Sequence, residues 1–157
     1  MRRWVIIYSR SITFSIVLSV ISSMSLLSIL FLHKSELLDS ILKVVFPIVF
    51  WLGLIGEQFF IWKSNSIRKM IENSEKFPKS RSGIGLISFF KSEAGLVADV
   101  ALIISFITLL ILMLLGIGES VVQYLFIFLL VLSFRLHCIL NGKNFRYKKY
   151  LAKRKVD

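Results

Sequence analysis

Apolar residues fall in four long runs, at about 11–32, 44–62, 94–115 and 121–140, each bounded by charged or turn-forming residues. None of the runs alternates apolar and polar positions with period two. An α-helix rises about 1.5 Å per residue, so about 20 residues cross a hydrocarbon core of roughly 30 Å. Backbone groups in lipid must bond among themselves, which leaves helices or a closed barrel, and the missing alternation excludes the barrel. The pattern predicts an all-α polytopic membrane protein. Its four transmembrane helices form an antiparallel bundle and make one membrane domain of residues 1–157.

The boundaries carry further information. Residues 116–120, GIGES, are too few to do anything but turn, so the third and fourth spans are expected as antiparallel neighbours. Pro47 is expected in the first turn of the second span, where a missing N–H costs least. Residues 63–91 are expected to form a cytoplasmic amphipathic segment. Ile67, Met70 and Ile71 suggest a helix along the membrane surface, ended by Pro78. Residues 84–90, IGLISFF, suggest an interfacial patch, and Ser92 an N-cap. Asn141-Gly142 reads as a C-cap pair, followed by a basic tail at 141–157. Trp4 and Tyr8 suit an interfacial layer before the first span. That span is longer than the apolar core of a signal peptide, so the start of the chain is expected to be an anchor rather than a leader. The residues outside the spans are expected to be too few and too basic for a core of their own.

Charge orients the chain. The net charge is +11, and 18 of the 20 Lys and Arg residues lie before the first span, between the second and third, or from Arg135 onward. By the positive-inside rule both termini face the cytoplasm. A basic balance arranged beside span ends points to an anionic leaflet and not to nucleic acid. The abundance of Ile, Ser, Lys and Phe suggests an AT-rich bacterial gene, hence a multi-pass protein of the bacterial plasma (inner) membrane.

Candidate chemistry is sparse. Serines at 11, 15, 19 and 23 recur every four residues on the first span. Ser15, Ser19 and Ser23 are therefore a candidate helix interface, because small residues let membrane helices approach closely. Three ionisable residues lie inside spans: Glu57, Asp99 and Arg135. All three count to the cytoplasmic half, and they form a candidate polar cluster. Arg135 is expected to pair with Asp99, with Glu57 as second acceptor. His137, two residues on, is expected to face away from Arg135. His33 and His137 fall at opposite membrane faces, and neither has metal-ligand spacing around it. Cys138 is the lone cysteine, so no internal disulfide forms. No phosphate loop, paired metal motif or catalytic triad is legible, and no cofactor is expected.

These features point to a small non-enzymatic membrane protein. It would act through helix contacts with a membrane partner or with itself, as an accessory subunit or an immunity or exclusion protein. The alternative is a small oligomeric transporter or channel with a cytoplasmic-side polar site.

Overall fold

A computed structural model describes residues 2–32, 40–73, 89–90, 92–118 and 120–153. The described residues form five α-helices and no strand: α1 (Arg2–Leu32), α2 (Ser40–Asn73), α3 (Glu93–Leu114), α4 (Val121–Leu140) and α5 (Lys143–Lys153). The first four are long and apolar enough to cross a membrane. His33, Pro78, the 79–85 loop and most of the expected 84–90 patch lie outside the described residues.

The helices differ in length, and this shapes the molecule. α3 and α4 have 22 and 20 residues, about 33 and 30 Å, which matches a hydrocarbon core. α1 and α2 have 31 and 34 residues, about 46 and 51 Å, and are longer than the bilayer requires. The surplus at the start of α1 and the end of α2 is brought together with α5. There Tyr8, Ile12, Ile67, Ile71, Tyr147 and Leu151 make a buried apolar cluster. Tyr8 Oη donates to the Asn144 carbonyl at 2.6 Å, and the Tyr8 and Tyr147 rings meet edge to face.

This revises one sequence expectation and adds detail to two others. Residues 63–73 do not start a separate surface segment but continue α2 without a break, and Ile67 and Ile71 face protein. Tyr8 is fully buried against protein, whereas Trp4 is exposed. The three helix ends, with Ile12 of the first apolar run, build a small core by pooling apolar faces that none could bury alone. Pro47 also differs from its expected place. α2 begins at Ser40, so Pro47 lies inside the helix.

α1 packs against α2 and α4, and α4 packs against α3. α5 touches α1, α2 and α4. Among the described residues, the backbones of α2 and α4 make no close approach, nor do those of α3 and either α1 or α2. The α1–α2 contact depends on small residues. A Cβ added at Gly53 would lie 2.5 Å from Ser22 Cβ, and one at Gly56 would lie 2.9 Å from Leu18 Cδ1. At the end of α3, Gly116 takes φ +67, the left-handed conformation that stops the helix before the turn to α4.

Candidate functional site

The sequence-predicted polar residues form two buried clusters, both on α4. A helix turns about 100° per residue, so Arg135 and His137 project about 200° apart. α4 lies between α1 and α3 in the packing order, and the two side chains serve opposite neighbours.

Arg135 joins α2 and α1. Its Nε donates to Glu57 Oε2 at 2.8 Å, and its Nη2 donates to the same oxygen. Its Nη1 donates to Ser23 Oγ at 3.2 Å and also to Ser22 Oγ. Glu57 is 3% exposed and Arg135 8%, so the pair is shielded from whatever surrounds the helices. The planar fork of arginine suits this arrangement, with one edge on the carboxylate and the remaining nitrogen on two hydroxyls.

Asp99 joins α3 to α4 and is completely buried. Its Oδ1 lies 2.5 Å from His137 Nδ1 and accepts from Asn141 Nδ2 at 2.8 Å. Its Oδ2 accepts from Asn141 Nδ2 at 3.0 Å and from the Phe90 backbone N–H at 2.5 Å. The Asn141 side-chain Oδ1 in turn accepts from the Ser92 N–H at 3.2 Å. Ser92 caps α3, as the sequence suggests: its Oγ accepts from Gly95 N–H at 2.9 Å and donates to the Leu140 carbonyl at 3.0 Å. Phe89 packs on His137 with ring centroids 4.5 Å apart, and Phe90 holds φ at +58. The turn before α3 is thus fastened to the end of α4 by side-chain bonds.

Arg135 therefore pairs with Glu57 and not with Asp99, and the three expected members are divided between two networks. Depth matching along the helices could not distinguish these partners, because it does not give the direction in which each side chain points. Asn141 is the residue the sequence reading missed. It stands four residues after His137, on the same face, and this spacing beside a buried aspartate was the available signal.

The serine stripe lies inside the chain. Ser15, Ser19 and Ser23 are at most 1% exposed, as are Ser22 and the α2 residue Ser64. Ser23 reaches Arg135, whereas Ser15 Oγ donates to its own helix at the Ile12 carbonyl, 2.8 Å away. Close packing and bonding back to the helix thus occur on the same face.

Beside the Arg135 cluster, where α1, α2, α4 and the start of α5 meet, is a cavity of about 230 Å³. Ser15, Ser64, Asn65, Cys138, Lys143 and Asn144 supply its polar lining. Among the described residues, no three His, Cys, Asp or Glu side chains are placed to hold a metal ion. The Asp99–His137 contact orients an imidazole, an arrangement also used in acid–base chemistry. The nearby Ser92 hydroxyl is engaged as a cap, however, and donates to a carbonyl.

Searches against family models, curated proteins and solved structures find no match to this chain.

Proposed function

We propose that the chain is a four-span plasma-membrane protein that acts without catalysis, through helix contacts with a membrane partner. In this reading the spans are antiparallel and both termini are cytoplasmic. The contacts from Tyr8 to Asn144 and from Ser25 to Phe46 support antiparallel spans. The positive residues gathered at the α5 end support the sidedness.

The observation that carries the functional reading is the engagement of the intramembrane charges. Glu57, Asp99 and Arg135 all have polar partners within the chain, and the candidate serine interface is also buried there. The surface left to a partner is apolar helix. On α2 it includes Val44, Ile48, Trp51, Leu52, Ile55, Phe59 and Trp62. A photocrosslinking residue at Ile55 in native membranes should give discrete protein adducts, and one at the buried Ser105 should give none. Adducts to lipid alone from Ile55 and from Ile104, which is also exposed, would defeat the proposal.

The second reading, an oligomeric transporter or channel, draws on the polar cavity beside Arg135. It predicts ion or solute flux in proteoliposomes that Glu57→Gln abolishes.

A further inference from the structure

We propose that the cavity bounded by α1, α2, α4 and α5 binds the phosphate-ester headgroup of an anionic phospholipid. The proposal rests on the orientation given above, which sets the leaflet, and it commits the cavity to a lipid already surrounding the protein.

The shape comes from the helix arrangement. The backbones of α2 and α4 stay apart while both pack on α1, which leaves a groove between them with α1 as its floor. The cavity sits in this groove, and Gly142, Lys143 and Asn144 close its end. A water molecule occupies about 30 Å³ in the liquid. A space of about 230 Å³ has the volume of about seven such waters, enough for a phosphate and part of its substituent.

The chemistry is that of an anion site. Lys143 lines the cavity, and among the described residues no carboxylate does. Arg68, paired through Nη1 with Glu72 at 3.1 Å, donates from Nε to the side-chain oxygen of Asn144, one of the lining residues, at 3.0 Å. The amides of Asn65 and Asn144 add N–H donors, while the Ser15 and Ser64 hydroxyls give their protons to the Ile12 and Phe60 carbonyls and serve as polar lining. The first-turn N–H groups of α5 have no intrahelical acceptor and form the positive end of the helix dipole. The closest intramembrane carboxylate, that of Glu57, is neutralised by Arg135.

The depth also fits. Ser64 and Asn65 follow directly on Trp62 and Lys63, a pair that suits the boundary between hydrocarbon and headgroups. A lipid can lay an acyl chain along the groove and turn its phosphate into the cavity. In the orientation proposed above this is the cytoplasmic leaflet, where anionic lipids and basic pockets between helices meet.

The test uses the purified full chain in a neutral detergent. Phosphatidylglycerol, phosphatidylcholine or inorganic phosphate is added, and both thermal stability and retained lipid by native mass spectrometry are read. Phosphatidylglycerol should raise the melting temperature and stay bound, with little effect from the other two. Lys143→Gln should weaken the lipid's affinity by about fivefold, the scale of one basic residue at a membrane surface. Ser64→Leu, which fills the cavity, should weaken it further, and the exposed Lys69→Gln should leave it unchanged. Ser64 is buried and its replacement can fail to fold, so Lys143→Gln decides the outcome in that case. An equal response to phosphatidylcholine, or an unchanged affinity in Lys143→Gln, overturns the site. An equal response to inorganic phosphate means a free-anion site and overturns the lipid. Micelles have no sides, so this outcome is independent of the topology, which external labelling tests separately.

Discussion

Arg135 and Glu57 are bonded across 78 positions of sequence, Nε to Oε2 at 2.8 Å, although the backbones of their helices stay apart. Two long side chains close that gap over the serine face of α1, where Ser22 and Ser23 complete the arginine's donors. Glu57→Gln and Arg135→Gln should each cost about 3–5 kcal/mol, because each leaves a buried charge unmatched. The double variant should lose much less than the sum, read from melting temperatures in detergent. Arg135→Gln combined with Asp99→Asn should instead be close to additive, since the two residues belong to separate networks.

Asp99 is the shared acceptor of Asn141, His137 and the Phe90 N–H. Asp99→Leu removes it and strands buried donors, each worth about 1–3 kcal/mol when unsatisfied. It should therefore destabilise more than Asn141→Leu, which removes the amide's bonds to Asp99 and the Ser92 N–H but leaves the histidine contact and the Phe90 bond to the carboxylate. Equal losses would mean that Asn141 holds the end of α4 as firmly as the carboxylate does.

The contact between α1 and α2 gives a steric prediction. Gly53→Ala puts a methyl 2.5 Å from Ser22 Cβ, so the helices must separate and disturb the Arg135 hydroxyl contacts. Its melting temperature should fall clearly. Gly118→Ala, with open space around the added methyl, should leave it almost unchanged.

Lys148 lies on α5, outside the spans, and burial pulls its amine below the ordinary lysine pKa. A lysine whose folded pKa is depressed holds fewer protons folded than unfolded between the two values. Stability therefore rises with pH across that window, up to about pH 10.4. Lys148→Gln should remove that rise. Burial pushes the Tyr147 hydroxyl the opposite way, upward, so its effect is a loss of stability at still higher pH. Chemical unfolding at a series of alkaline pH values, with Tyr147→Phe as a second variant, separates the two.

The sidedness is tested by labelling in intact cells, in a Cys138→Ala background. Cysteines at the exposed positions Lys69 and Lys149 should resist a membrane-impermeant thiol reagent, and one at Gly118 should react. Labelling at Lys149 from outside would reverse the proposed orientation.

The four apolar helices were legible because lipid imposes a length and a composition on any chain that crosses it, and 121–140 and 94–115 carry both. The end of α3 was legible from Gly116 and the start from Ser92, since capping depends on nearby residues. Where α1 begins and α2 ends was not legible from hydropathy. Their outer turns are held by Tyr8, Ile67 and Tyr147, far apart in sequence, and charged residues between them hide the pattern. The burial of Ser19 and Ser23 followed from small-residue spacing, but which helix covers them did not. Partner choice among Glu57, Asp99, Arg135 and His137 was decided by tertiary structure alone. Sequence gives the depth of each residue along its helix, whereas pairing depends on the rotation of that helix and on its neighbours. α4 packs between α1 and α3, so Arg135 meets Glu57 on one side and His137 meets Asp99 on the other.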